Sequence, residues 1–236
     1  MGDQFIRCKA ILGSDKIALL NSKHIAVFGL GGVGGHACEA LARSGIGELT
    51  IIDNDVVDIS NINRQLIATH SSVGQAKVDV MEKRLLDINP NIKIHRIQKF
   101  YLYEDDSIDF SKFDYVVDAI DTVSGKIGII LNCHKNNIPV ISALGCGNKM
   151  DPTKLEVTDI SKTSYDPLAK VMRKKLRENG INHLKVVYSK EEPLEIVEPF
   201  EEESKKGRHS PGSTPFVPPV AGIIIASEVI KDLIAR

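Results

Sequence analysis

The sequence lacks the cysteine pattern of a protein that is stabilised by a cysteine-bound metal ion or by disulfide bonds. Its four cysteines, Cys8, Cys38, Cys133 and Cys146, include no C-x-x-C pair. This spacing argues against a structural zinc site and against a disulfide framework. Scattered, unpaired cysteines fit a reducing compartment, so we expect a cytoplasmic location.

Long hydrophobic runs are also missing. No apolar stretch approaches the roughly 18 residues that a membrane-spanning helix needs. The N-terminal segment MGDQFIRCKAILG contains no apolar signal core. We therefore expect no membrane partner.

The chain has no excess of charge of either sign. The 30 Lys and Arg residues nearly balance the 31 Asp and Glu residues, so any nucleic-acid contact has to come from a local basic patch. Hydrophobic residues make up 42% of the 236 positions, which is ordinary for a globular protein that buries one good-sized core. We expect a single domain over residues 1–236.

Apolar runs alternate with amphipathic stretches over residues 1–148, which predicts parallel strands covered by helices. The predicted strands are 24–29, 48–53, 91–98, 113–121 and 138–145, and the predicted helices are 34–45, 72–90 and 124–137. The fold class is therefore α/β, with a doubly wound, Rossmann-like, mainly parallel sheet. Residues 1–148 would form its nucleotide-binding core.

Residues 149–236 are less regular and predict a smaller α+β extension. Strands at 154–160 and 184–189 flank an amphipathic helix at 166–179. Residues 189–217 are rich in charge, Pro, Gly and Ser, which predicts an exposed loop. A helix with an apolar face follows at 220–235.

A glycine motif joins the first predicted strand to the first predicted helix. Gly29, Gly31 and Gly34 satisfy G-x-G-x-x-G, which lets backbone amides approach a phosphate at a helix N-terminus. Asp53 follows at the end of the second strand, where a carboxylate can accept hydrogen bonds from ribose. The alternative is a purely structural glycine turn. No G-x-x-x-x-G-K-[ST] occurs, which excludes the P-loop class.

Polar residues after the second strand indicate which nucleotide is bound. Arg64 offers a planar fork and Lys77 a compact charge, a pair suited to a triphosphate, and Asn61 lies beside them. Asp121 follows a buried strand, where it could hold magnesium or simply cap the next helix. Taken singly, Arg64 and Lys77 could equally be solvated charges.

Four of these motifs together resemble the adenylyltransferase domain of the ubiquitin-activating-enzyme-like superfamily, which includes molybdopterin- and thiamine-pathway activating enzymes. They are GLGGVG, DNDVVDISNINRQ, VGQAK and DAIDT. Within the superfamily, NINRQ, DPTKLEVTDISKTSYDPLAKVMRKKLR and STPFVPPVAG look closest to the tRNA threonylcarbamoyladenosine dehydratases. The resemblance covers nearly the whole chain.

The resemblance implies ATP-dependent activation of a carboxylate. In that family the threonyl carboxylate of a modified adenosine in tRNA attacks the α-phosphate of ATP and releases pyrophosphate. The carbamoyl group then closes on the activated carbonyl, expels AMP and leaves a cyclic nucleoside. The family also implies ATP and Mg²⁺ as cofactors, with a monovalent cation and a sulfur-relay protein as further candidates.

The resemblance also assigns residues to roles. Arg7 matches an arginine finger that reaches into the neighbouring subunit of a homodimer, and Asp121 matches a magnesium ligand. The residues implied to bind ATP are Gly31, Gly32 and Gly34 at the phosphates, Asp53 at the ribose, Asn61, Arg64 and Lys77 at the triphosphate, Asp121 with magnesium, and also Gly29, Asp55 and Gln65. The implied catalytic residues are Arg7, Asn61, Arg64, Lys77 and Asp121.

A tRNA substrate needs a basic surface. The candidates on the helix predicted at 166–179 are Lys170, Arg173, Lys174 and Arg177, spaced three or four residues apart. A second set lies in the predicted loop: Lys205, Lys206 and Arg208. The alternative for both sets is an ordinary solvated face.

Two other functions use the same nucleotide motifs. One is adenylation of the C-terminus of a ubiquitin-like sulfur carrier, and the other is a nicotinamide-dependent oxidoreductase or nucleotide sensor. Arg64, Lys77 and Asp121 count against the latter. The missing C-x-x-C pairs favour the tRNA-modifying branch, and Cys146 is given no role.

Overall fold

The computed structural model describes residues 3–103, 107–198 and 211–235. Seven helices of seven residues or more surround one sheet of seven strands in these residues. The helices are α1 (Ile6–Leu12), α2 (Ser14–Asn21), α3 (Gly34–Arg43), α4 (Lys77–Ile88), α5 (Val123–Lys135), α6 (Pro167–Glu178) and α7 (Val217–Ile234). The strands are β1 (His24–Phe28), β2 (Glu48–Ile52), β3 (Lys93–Ile97), β4 (Tyr115–Asp118), β5 (Val140–Ala143), β6 (Leu155–Asp159) and β7 (Lys185–Ser189).

The sheet confirms the predicted fold class. Its strand order is β3-β2-β1-β4-β5-β7-β6, and every neighbouring pair is parallel except β6 with β7. The chain builds outward from β1 to β3 and then restarts at β4 on the other side of β1. In doubly wound sheets this reversal opens a crevice at the carboxyl ends of the strands. The switch point lies between β1 and β4.

The strands of residues 149–236 extend the same sheet. β7 forms a parallel ladder with β5, and β6 pairs antiparallel with β7 at the edge. The two parts of the chain therefore share one continuous set of backbone hydrogen bonds.

Burial follows strand position. β4 is buried at every residue and β1 at all but His24, because helices cover both of their faces. β3 lies at the edge and is partly exposed throughout. Because both faces of the central strands are buried, their sequences are continuous apolar runs.

The last helix completes the core of the nucleotide-binding half. α7 packs along α3, and its buried Val217, Ala221, Ile225 and Val229 belong to the same hydrophobic cluster as Val27 in β1. α7 and β1 therefore share one hydrophobic core, although most of the chain separates them in sequence.

Two helices at the N-terminus have no counterpart among the predicted elements. α1 has no buried residue, and α2 buries only Ile17 and Leu20. So few apolar anchors leave little periodicity in the sequence from which a helix could be inferred.

A buried lysine joins β4, α5 and β5 below the switch point. Lys126 Nζ lies 3.1 and 3.2 Å from the Asp118 carboxylate oxygens and donates to the Ala143 carbonyl at 2.7 Å. Ser142 Oγ donates to Asp118 at 2.5 Å. All three side chains are fully buried, so the pairing fixes the carboxyl ends of two adjacent strands.

In the part of the chain that the structure describes, no helix has the length and apolar character required to cross a membrane.

Candidate nucleotide-binding site

A crevice of about 1130 Å³ opens at the switch point. Its walls come from the loops that follow β1, β2, β3, β4 and β5, and from residues 211–213. Typical small-ligand pockets occupy about 300–1,000 Å³, so the crevice has room for a nucleotide and part of a second substrate.

The three glycines of the motif have different roles. Gly29 has φ of +89°, and a Cβ there would lie 2.7 Å from the Ala119 carbonyl oxygen. A Cβ at Gly34 would overlap the carbonyl oxygen of Gly29. For Gly29 and Gly34 the structural explanation is therefore sufficient, because β1, β4 and α3 approach too closely for side chains.

Gly31 has no such packing reason. A Cβ there would find only Gln65 Nε2, at 3.9 Å, and would project into the crevice. α3 begins at Gly34 without a side-chain cap, and although Gly35 N donates to Gly31 O at 3.1 Å, the positive end of the helix lies beside the crevice and favours an anion. The bare backbone at Gly31 is what a phosphate needs for close approach.

Asp53 ties the end of β2 to the glycine loop. Its Oδ2 accepts a hydrogen bond from Leu30 N at 2.6 Å, and its Oδ1 accepts one from Asp55 N at 2.8 Å. Burial raises the pKa of the Asp53 carboxyl, while the nearby positive charge of Lys77 acts to lower it. The carboxylate lies on the crevice wall beside the loop that it holds.

Lys77 is a nearly buried cation in the crevice wall. It is the first residue of α4, is 4% exposed, and its Nζ lies 2.9 Å from Asp55 Oδ2. Among the described residues this is the one hydrogen bond of an ammonium group that can donate three. The Asp55 side chain is 54% exposed, so Lys77 retains capacity for a second anion.

A short helical turn at Ile59–Asn61 contains the predicted residue Asn61, and Arg64 and Gln65 follow it. Asn61 Oδ1 accepts a hydrogen bond from Asp58 N at 3.1 Å, which uses part of its amide to cap the turn. Arg64 lines the crevice, where its guanidinium donates to Ser60 O at 3.0 Å and Asn63 Oδ1 at 2.9 Å.

Gln65 is buried with its Oε1 lacking a hydrogen-bond partner among the described residues. An orphaned polar atom in a buried position costs about 1–3 kcal/mol. Because Gln65 lies on the crevice wall next to Gly31, a bound polar ligand could satisfy it. The open space at Gly31 and the Lys77 ammonium fit a bound nucleotide phosphate, whereas the Gln65 oxygen is an acceptor and would need a donor, such as a hydroxyl or amino group of the ligand.

Asp121 is exposed and lines the crevice after β4. It does not cap α5, because that helix begins at Val123 with Thr122 as its N-cap and no side-chain capping bond. An exposed carboxylate beside a phosphate site is suited to a hard cation.

Arg7 is the one predicted catalytic residue outside the crevice. It is exposed on α1, whose neighbour Phe5 packs beside Gly45 just beyond the C-terminal end of α3. The crevice lies at the opposite end of α3, so the structure does not bring Arg7 to the crevice of its own subunit.

Sequence reasoning missed two parts of the wall. Residues 99–101 follow β3, and the rule that ligands bind beyond strand ends could have found them. Residues 211–213 come from the predicted exposed loop. They are held by bonds from Asn148 N to Gly212 O at 2.8 Å and from Asn63 Nδ2 to Ser213 O at 2.9 Å. Such long-range bonds leave no local signal.

Cys146 also lies on the wall but is 8% exposed. Burial, together with the negative charge of Asp166, raises its pKa to about 12. The thiol therefore stays protonated at neutral pH, which agrees with its having no assigned role.

The basic face of α6 is only partly available. Lys170, Lys174 and Arg177 are exposed. Arg173 instead donates to the Thr163 carbonyl at 2.9 Å, and also contacts Thr163 Oγ1, which holds the loop before α6. The second predicted set, at 205–208, lies outside the described residues.

The doubly wound sheet and the glycine-lined crevice define a Rossmann-like nucleotide-binding protein. Within that class the chain belongs to the ThiF family, whose model matches residues 4–236. This confirms the resemblance inferred from the motifs.

Named relatives agree with this assignment. The chain is 44% identical over 241 residues to the tRNA threonylcarbamoyladenosine dehydratase of Bacillus subtilis, with 98% of this chain and 94% of the relative covered. It is 30% identical over 164 residues to the molybdopterin-synthase adenylyltransferase of Salmonella typhimurium, covering 69% of this chain and 63% of that one.

Solved structures match over the same length. E. coli tRNA N6-threonylcarbamoyladenosine dehydratase, TcdA, has structures in complex with AMP and with ATP. They superpose with TM-scores of 0.89 and 0.86 at 34% identity, and the match covers 98% of this chain and 94% of theirs.

The two types of glycine in the loop can be separated by substitution. We expect Gly31→Ala to weaken ATP binding at least ten-fold, because the methyl group would occupy the phosphate approach, while the free energy of unfolding stays unchanged. Gly34→Ala should lower that free energy by about 3 kcal/mol or more, because its Cβ has no space. ATP titration calorimetry and urea denaturation measure the two effects. Unchanged ATP affinity in Gly31→Ala would contradict the role given to Gly31.

Proposed function

We propose that this protein is an ATP-dependent dehydratase that cyclises threonylcarbamoyladenosine in tRNA. The observation that carries the proposal is the crevice, where the open space at Gly31 and the nearly buried ammonium of Lys77 lie beside the uncapped N-terminus of α3. Identity to a named dehydratase along almost the entire chain supports the choice of substrate over that of the more distant adenylyltransferase.

The chemistry needs two steps. A carboxylate resists nucleophiles because its leaving group would be oxide. Its attack on the α-phosphorus of ATP breaks the bond to the β-phosphate bridging oxygen and releases pyrophosphate, which leaves an acyl-adenylate. The carbamoyl group then attacks the acyl carbon and gives up one proton, and AMP departs with the electron pair of the C–O bond. The ring closure is intramolecular, so much of its entropic barrier is already removed.

The residues of the crevice would position ATP and stabilise charge. Gly31 would leave space for the phosphates, the N-terminus of α3 would donate hydrogen bonds to them, and Lys77 with Arg64 would balance the charge that grows on departing pyrophosphate. Asp53 would orient the ribose from the end of β2. Lys77 is well suited to bind a phosphate, because its Nζ is shielded from solvent and its partner, the carboxylate of Asp55, is exposed.

A magnesium ion would be held by Asp121. The support is its exposed carboxylate at the carboxyl edge of the sheet, adjacent to the proposed phosphate path. When bound, the ion would neutralise phosphate charge. A monovalent cation, a sulfur-relay partner and a cytoplasmic location stay predictions.

Arg7 would act on the crevice of a second copy of the chain. It is exposed on α1, and it does not line the crevice of its own subunit. A homodimer that places α1 of one subunit at the crevice of the other would give the guanidinium an anionic target.

The substrate assignment is tested by pyrophosphate release with three additions: tRNA bearing threonylcarbamoyladenosine, the same tRNA unmodified, and no RNA. We expect rapid release only with the modified tRNA, and a product nucleoside lighter by one water molecule. Lys77→Met, which keeps the side-chain volume but loses the charge, should reduce the rate by about 100-fold or more. No turnover with any RNA, but release with a ubiquitin-like carrier, would replace this function with carrier adenylation.

The shared site is tested by mixing two inactive variants. In a heterodimer of Arg7→Ala and Lys77→Met, one crevice retains its own Lys77 and receives an intact Arg7 from the other subunit. After random reassembly of an equal mixture, about a quarter of all sites should be active. Each variant alone is the control. If the activity of the mixture does not exceed the summed activities of the two variants, Arg7 does not act across subunits.

The tRNA surface on α6 is tested by charge reversal. Changing Lys170, Lys174 and Arg177 to Glu should weaken tRNA binding at least ten-fold and make its salt dependence shallower. The matched control reverses three exposed cations on other helices, Lys16, Lys83 and Lys135, with the same change in net charge. An equal loss of tRNA affinity in both variants would mean that binding depends on net charge alone and that α6 does not contact the tRNA.

A further inference from the structure

A second cluster of polar side chains lies near the amino ends of β1 and β2, away from the crevice at the carboxyl ends of the strands. His24, Glu48 and His95 occupy β1, β2 and β3. His24 is in register with Glu48, and Thr50 is in register with His95. Because Glu48 and Thr50 are two residues apart, all four side chains project from one face of the sheet.

The ligand atoms of the cluster are spaced for a small metal ion. His95 Nε2 lies 2.7 Å and His24 Nδ1 lies 3.6 Å from Glu48 Oε1. One ligand atom from each of the three residues fits within 4.8 Å of the other two. Ligands around tetrahedral zinc are about 3.4 Å apart when each lies about 2.1 Å from the ion. Small side-chain rotations therefore suffice to place an ion between the three.

His24 is oriented as a metal ligand requires. Its second ring nitrogen, Nε2, lies 2.8 Å from Thr50 Oγ1, and Thr50 is 4% exposed. Donation from Nε2 to this hydroxyl leaves the lone pair of Nδ1 on the side of Glu48. The Phe113 ring, 5.0 Å away and perpendicular, packs against the imidazole. Because a hydroxyl can donate or accept, Thr50 holds the ring orientation, and a metal at Nδ1 would select the tautomer in which Nε2 donates.

The cluster is also accessible. The His95 side chain is 53% exposed, whereas that of His24 is 15% exposed, so an ion can enter from solvent and reach a partly enclosed ligand. The nearest competing cation is Lys93, with Nζ 3.9 Å from Glu48 Oε2 and 76% exposed, so it can move away. Asp114 is occupied by His24 N and Lys23 Nζ.

We propose that His24, Glu48 and His95 form a binding site for a divalent transition metal, with zinc the best match and water completing the coordination. Two imidazoles and one carboxylate favour zinc over magnesium or calcium, which prefer oxygen ligands. His24 and Phe28 stand at opposite ends of β1, about 13 Å apart along the strand, so the ion would stabilise three strands and take no part in catalysis.

The site is tested by zinc titration calorimetry on the full, untagged chain without nucleotide. We expect one zinc per chain with micromolar or tighter affinity and no comparable binding of magnesium. At zinc concentrations 100-fold above Kd, the melting temperature should rise by roughly 5 °C. Zinc binding weaker than millimolar in the unaltered protein would overturn the proposal.

His95→Gln and His183→Gln provide a matched pair of variants. Both histidines are exposed and lie beside a carboxylate, since His183 Nδ1 is 3.3 Å from Asp159 Oδ2, but only His95 has a second histidine nearby. We expect His95→Gln to weaken zinc binding at least 100-fold and His183→Gln to leave it unchanged. Equal affinities in both variants would overturn the assignment.

Thr50→Val tests the supporting hydrogen bond. The substitution keeps the shape of the buried side chain and removes the hydroxyl partner of His24 Nε2. We expect zinc affinity to fall about ten-fold with one ion per chain retained. The visible spectrum of the Co²⁺-loaded unaltered protein should show histidine ligation and should be lost in His95→Gln. A spectrum unchanged by His95→Gln would place the metal elsewhere.

Discussion

The close approach of α3 to the carboxyl end of β1 is the constraint on which the rest of the molecule depends. It is achieved only because Gly29 and Gly34 have no side chains, and it is held by the bond from Leu30 N to Asp53 at 2.6 Å. This packing directs the positive end of the α3 dipole into the crevice. Each element that builds the crevice wall is placed relative to that helix end.

Two buried lysines show how the same side chain serves different purposes. Lys126 is surrounded by the Asp118 carboxylate, a carbonyl and a hydroxyl, so its charge is compensated within the protein. Lys77 has a single exposed carboxylate as its described partner and faces the crevice. A buried cation with spare hydrogen-bonding capacity at a cavity wall is a group that a ligand can complete.

The fold could be predicted because buried parallel strands and amphipathic helices leave strong periodic patterns, and Gly29 and Asp53 were identifiable from their positions directly after strands. The contacts of Arg173 with Thr163 and the docking of Gly212 on Asn148 could not be predicted. These contacts join residues by tertiary geometry alone. The different tasks of Gly31 and Gly34 likewise required knowledge of what surrounds each backbone position.

The packing of α7 on α3 affects how the protein folds while it is synthesised on the ribosome. The apolar groove beside β1 and α3 is covered by α7, which is translated after all seven strands of the sheet. Until that segment leaves the exit tunnel, the nascent chain displays an unfilled groove, a surface that holdase chaperones recognise. Folding of the nucleotide-binding half is thus coupled to the synthesis of α7, although its strands emerge long before that helix.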